Sequence, residues 1–250
     1  MKWAASILLI TSCLFTFGQR QFINRSHYID STIQVNHLNI PVNKTEPYFP
    51  SAFFRRFELT TTPIDSSYIF MHTYKIDGKN IHHYAKAIDQ GYDTLRVKRF
   101  SKHLFALNEP LLFNTESEKE VYRFTWLRTF NNPISIRIEK SENSIWLYTK
   151  VCNGAGGYAP GRLKTNRKKK IKKAEWEKFE KIIKQLDYWN IEYSGHLPGN
   201  DGAQWILEGS TKEQYSILFK QSPNKKSDYY MACNYLIELS GLKIKKKNKY

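Results

Sequence analysis

Asp201 and Glu208 are the first residues whose spacing could support chemistry. Within Asp201-Gly202-Ala203-Gln204-Trp205-Ile206-Leu207-Glu208-Gly209, one carboxylate sits at a turn and the other at a strand end. Two carboxylates facing one cleft can serve a hydrolase as acid and base. The structural reading of the same residues has Asp201 shaping the turn and Glu208 paired with a cation. Trp205 between them is a candidate contact residue. Upstream, Gly154-Ala155-Gly156-Gly157-Tyr158-Ala159 fits G-x-G-x-x-A, but a dinucleotide site needs a helix to open there, and Pro160-Gly161 prevents that. No GK[ST] follows, so a phosphate-cradling loop is excluded as well. The glycines then serve a tight or bulged turn, which presents Tyr158 as a contact residue.

His72, His82 and His83 fall within one expected hairpin. His82 and His83 are consecutive and face opposite sides of a strand, and no Cys or carboxylate joins them at ligand spacing, so they read as structural and no metal or cofactor is expected. Glu109, Arg123, Arg128 and Arg137 lie among strand residues and suit ion pairs beside a sheet, with Arg128 the first candidate for contacting an anion. No Ser-His-Asp, Cys-His or H-E-x-x-H set can be assembled, and no catalytic residue is assigned.

A third feature is charge. Arg162, Lys164, Arg167, Lys168, Lys169, Lys170, Lys172 and Lys173 form a run without an acid, and Lys243, Lys245, Lys246, Lys247 and Lys249 form a second. Such a field suits nucleic acid, anionic lipid or acidic polysaccharide. No aromatic residue interleaves with these cations along the chain, so the run reads first as a solvated charge cluster.

The elements that must position these groups follow from the whole chain of 250 residues, which carries +16 formal charge with 41% hydrophobic and 15% aromatic residues. That composition supports a buried core and excludes wholesale disorder, a fibrous protein and, with Cys 3, a disulfide framework. Lys2 followed by the apolar stretch Trp3 to Phe17 and small residues before Gln19 has the pattern of a secretory signal peptide, residues 1–18. The competing reading is a lipobox at Ile10-Thr11-Ser12-Cys13, with Cys13 acylated. Removing residues 1–18 takes away one Lys and no acid, so the protein stays basic; export disfavours nucleic acid as the partner. No transmembrane span is expected in the mature chain. Cys152 and Cys233 would remain, as one bridge or as two buried thiols.

Three parts are expected: the leader, a β-rich region over 19–103, and an α+β domain over 104–250. Asp77-Gly78 between residues 68–76 and 81–88 signals a hairpin. Residues 111–113, 122–128, 134–138, 145–148, 204–208 and 215–219 have strand composition. Trp176, Phe179, Ile182, Ile183, Leu186 and Trp189 mark an amphipathic helix over about 174–189, and a closing helix over about 228–240 stops at Ser240-Gly241. Strand pairs with interleaved helices and no βαβ rhythm indicate an α+β fold with an antiparallel sheet.

The segments Tyr122 to Phe130, Asn153 to Tyr158, Trp176 to Trp189, Asp201 to Gly209 and Tyr235 to Leu242 together resemble an uncharacterised family of exported Gram-negative bacterial proteins, over roughly residues 100–245. Members usually carry R-W-S-P after the last hairpin, where this chain has Lys220-Gln221-Ser222-Pro223. The family implies export and no established activity. The expectation is therefore a non-enzymatic envelope protein, periplasmic or extracellular, or lipid-anchored through Cys13. It would bind an envelope protein or anionic polymer through some of Arg128, Tyr158, Asp201, Trp205 and Glu208. Alternatives are a hydrolase using Asp201 and Glu208, and an inhibitor or immunity-like protein.

Overall fold

The computed structural model describes residues 29–76, 78–115, 117–191, 202–245 and 248. The expected leader with Cys13, and also Asp77 and Asp201, lie outside them. In chain order the elements are β1 (Arg55–Thr60), β2 (Ile69–Ile76), β3 (Lys79–Tyr92), α1 (Thr94–Ala106), β4 (Glu120–Arg128), β5 (Ile134–Ser141), β6 (Ser144–Cys152), β7 (Leu163–Lys170), α2 (Lys173–Gln185), β8 (Ala203–Ser210), β9 (Tyr215–Gln221) and α3 (Asp228–Ser240). The main sheet is antiparallel with strand order β7-β6-β5-β4-β8-β9, and β1-β3-β2 form a separate three-stranded sheet. The α+β class read from the sequence is the observed one.

Period-two alternation sorts the side chains of the main sheet between two cores. Tyr122, Phe124 and Trp126 of β4, Ile134, Ile136 and Ile138 of β5, and Trp205 and Leu207 of β8 face α2 and α3. There they meet Trp176, Phe179 and Ile183 from one helix and Ala232, Cys233 and Leu236 from the other. The opposite face carries Val121, Leu127, Ile206, Ile217 and Phe219, covered by Tyr48, Phe49, Phe53 and Phe54 and by Phe100 and Leu104 of α1. The strands β4 and β8 are thus covered on both sides, and the six-strand sheet is the wall between two cores.

Local signals set the helix ends. Asp93 accepts a bond from Arg96 N at 2.9 Å at the start of α1, Glu175 reaches back to Lys172 N at 2.8 Å at the start of α2, and Ser227 accepts from Tyr230 N at 3.2 Å before α3. Gly241, at φ 67, ends α3 at the expected stop.

Three expectations are corrected. The helix drawn to residue 189 ends at Gln185, because Asp187 turns left-handed at φ 53 and Tyr188–Asn190 continue as a 3-10 turn. The boundary placed between 103 and 104 falls inside α1, a helix the strand-rich reading of this region did not contain, and the segment before it shares a core with the main sheet. Residues 111–113 are buried without joining a strand. The basic run Arg162 to Lys173 is largely strand β7, most of whose side chains are exposed, in keeping with a solvated charge cluster.

Candidate functional site

The Gly-rich segment folds back on the β4–β5 turn. Gly156 N donates to Asn131 O at 2.9 Å, Gly157 N to Thr129 O at 3.1 Å, Gly154 N to Pro160 O at 2.9 Å and Ala155 N to Ala159 O at 2.9 Å. These amides are spent within the protein, so the loop is a packed corner and not an anion cradle. Gly156 is required by contact: a Cβ there would lie 2.6 Å from the Leu127 and Arg128 backbones. Gly156→Ala is therefore expected to lower stability by about 1–3 kcal/mol, read as a lower urea midpoint; an unchanged midpoint would show that the corner yields. At the loop's tip Tyr158 is exposed, its ring centroid 6.1 Å from that of the equally exposed Phe130.

The other described candidates, Arg128, Trp205 and Glu208, are buried, whereas Tyr158 is exposed. Arg128 is buried, its guanidinium 4.3 Å above the Trp126 ring and donating to Asn132 O at 3.1 Å and Asn248 O at 3.2 Å. Trp205 lies in the core against Phe124, Trp126 and Tyr230. Glu208 points to the opposite face of the sheet from Trp205 and is also buried. Trp205 and Glu208 are thus interior residues rather than surface contacts. Cys152 and Cys233 are both free and buried: Cys152 Sγ lies 3.4 Å from Ala106 O below α1, and Cys233 sits under α3. The bridge weighed from sequence is not formed, because the thiols belong to opposite layers. Burial pushes the Cys152 thiol up to about 11. His82 Nδ1 lies 2.8 Å from the Thr73 hydroxyl, and among the described residues no group of three His, Cys, Asp or Glu could hold a metal.

Glu208 belongs to an ionic cluster between the sheet and its N-terminal cover. Arg123 Nε and Nη2 donate to its two oxygens at 2.6 and 2.7 Å, and Tyr215 OH donates to Oε1 at 3.0 Å. Arg123 Nη1 also donates to Pro110 O at 2.6 Å. Glu109, from the connection after α1, receives Arg137 Nε at 2.7 Å and Lys150 Nζ at 3.1 Å, with Arg123 at 3.6 Å. Arg137 also pairs with Glu139. The three cations hold the Glu109 carboxyl at about 2, against the opposing cost of its burial. Burial pushes Glu208 upward, with the Arg123 guanidinium opposing it. Ion pairs for Glu109, Arg123 and Arg137 were legible in the sequence, whereas Lys150 was not. With Glu109, Glu208 and Arg123 fully enclosed, the centre of the cluster is cement between layers.

The surface feature is the β6–β7 margin. Cross-strand register sets Tyr148 opposite Lys168 and Trp146 opposite Lys170. Lys168 Nζ stands 4.2 Å from the Trp146 ring centroid and 5.3 Å from that of Tyr148, and Arg137 lies 4.2 Å from the same Tyr148 ring. Aromatics therefore do interleave with the basic run, across strands about twenty residues apart, which linear reading missed. The only signal for it was the alternation of Trp146 and Tyr148 in β6. On the other face of β7, Arg167 Nη2 donates to Ser240 O at 3.3 Å. No protein-family model and no curated protein matches this chain.

Proposed function

We propose that this chain is an exported, non-enzymatic binding protein of the bacterial envelope, which holds an anionic partner at its β6–β7 margin. The observation that carries the reading is the charge of β7, where Lys164, Arg167, Lys168, Lys169 and Lys170 stand in eight residues with no acid, most of them exposed. The Trp146 and Tyr148 rings hold the Lys168 ammonium in place, which lowers the entropy lost when it meets an anion. The signal-like N-terminus and the likeness to exported proteins support the location. Among the described residues no helix is long and apolar enough to cross a membrane.

Lys168→Gln, Lys169→Gln and Lys170→Gln combined should elute from a sulfated matrix at clearly lower salt than the unchanged protein, because retention on charge weakens as salt screens it. Equal elution would remove the reading. The mass of the mature N-terminus from a bacterial host separates cleavage after Gly18 from acylation at Cys13; an intact leader would refute export.

A further inference from the structure

We infer that the free edge of β7 takes up an extended acidic peptide segment of a partner protein as a seventh strand of the main sheet. The inference rests on the proposed anionic partner and specifies its chemistry and its mode of attachment.

The first observation is a row of outward-facing backbone groups. Among the described residues β7 pairs only with β6, and it ends the strand order of the sheet. Ile171 N donates to Ile145 O at 2.9 Å, and these two residues continue the β6–β7 register. In an antiparallel pair, directly opposed residues alternate between exchanging backbone hydrogen bonds and exchanging none. Lys169, Arg167 and Thr165 therefore spend their backbone groups on β6, while the N–H and C=O groups of Asn166, Lys168 and Lys170 face away from it. An unpaired edge of this kind is a template for another strand.

The second observation is what the side chains select. Lysines on an edge guard against self-association, since two β7 edges brought together would set like charges opposite one another. The same pattern favours a strand with carboxylates at alternate positions. Lys168 and Lys170 lie on one face about 7 Å apart along the strand, matching residues i and i+2 of an extended partner. Lys169 lies on the other face, where one further acid would meet it. Cross-strand pairs of opposite charge are stabilising, and the added backbone ladder gives affinity that a diffuse charge contact lacks. A flexible polyanion such as a sulfated glycan would use the lysines but not the ladder.

The test separates ladder from charge. The probe is a fluorescein-labelled octapeptide of alternating Glu and Thr, followed by anisotropy at low salt. Asn166→Pro removes one outward N–H, leaves the bonds to β6 in place and changes no charge. It should weaken peptide binding at least tenfold while elution from the sulfated matrix is unchanged. Two further peptides, N-methylated at alternate residues in the two phases, test the same point on the unchanged protein, so the result does not depend on the variant folding. One phase should lose binding at least tenfold and the other should retain it. Equal binding of all three peptides, together with unimpaired binding by Asn166→Pro, would overturn strand addition and leave the anion-binding reading standing. If the triple lysine variant keeps both its matrix elution and its peptide affinity, the anion-binding reading falls, and strand addition falls with it.

Discussion

Arg123→Ala is expected to lower the stability of the fold by about 3–5 kcal/mol. The side chain is enclosed, and its guanidinium is shared between both oxygens of Glu208, the Pro110 carbonyl and the neighbourhood of Glu109. Truncation leaves Glu208 with only the Tyr215 hydroxyl among its named partners and withdraws one of three cations from Glu109. An uncompensated buried charge costs far more than the pair itself contributes, because forming the pair already required taking both groups out of water. Arg123→Met combined with Glu208→Leu should therefore recover most of the loss. Urea denaturation at pH 7 reads both outcomes. A single variant within about 1 kcal/mol of the unchanged protein would show that water reaches the cluster and solvates Glu208.

The cluster also explains what could and could not be read from the residues in order. Strands β4, β5, β6, β8 and β9 announce themselves as short runs dense in β-branched, aromatic and other large apolar side chains, and α3 by its apolar face and its stop at Gly241. α1 was hidden: its sequence, Thr94–Ala106, is rich in Lys and Arg, and its buried residues Val97, Phe100 and Leu104 follow directly on the long strand β3. β7 was hidden for a different reason. A strand at a sheet margin needs no apolar face, so its lysines give no alternating signal, and its identity depends on the hydrogen bonds of β6. The candidate site was scattered by the same alternation that built the sheet, which sends Trp205 to one core and Glu208, three residues later, to the other. Glu109 and Lys150 meet through tertiary packing alone, across a connection and a strand separated by forty-one positions, and local pattern carries no trace of that.

Glu109 should make the fold acid-sensitive in a defined window. Arg137, Lys150 and Arg123 hold its folded carboxyl at about 2, below the ordinary value of 4.5 that it regains in the unfolded chain. The unfolded state therefore binds the proton first as pH falls. The contribution of Glu109 is fully present above about 4.5 and is lost progressively as pH drops toward 2. A depression of this size corresponds to about 3 kcal/mol of stability at neutral pH. Glu109→Gln should lose that contribution at pH 7 and also leave Lys150, buried with its ammonium, without its carboxylate partner. The gap in unfolding free energy between the unchanged protein and Glu109→Gln should accordingly be widest at pH 6–7 and shrink between pH 4.5 and 2. Urea midpoints measured across that range provide the comparison. A gap that stays constant down to pH 2 would mean that Glu109 titrates alike in folded and unfolded chains, and that its three cations do not act on it as the short N–O distances require.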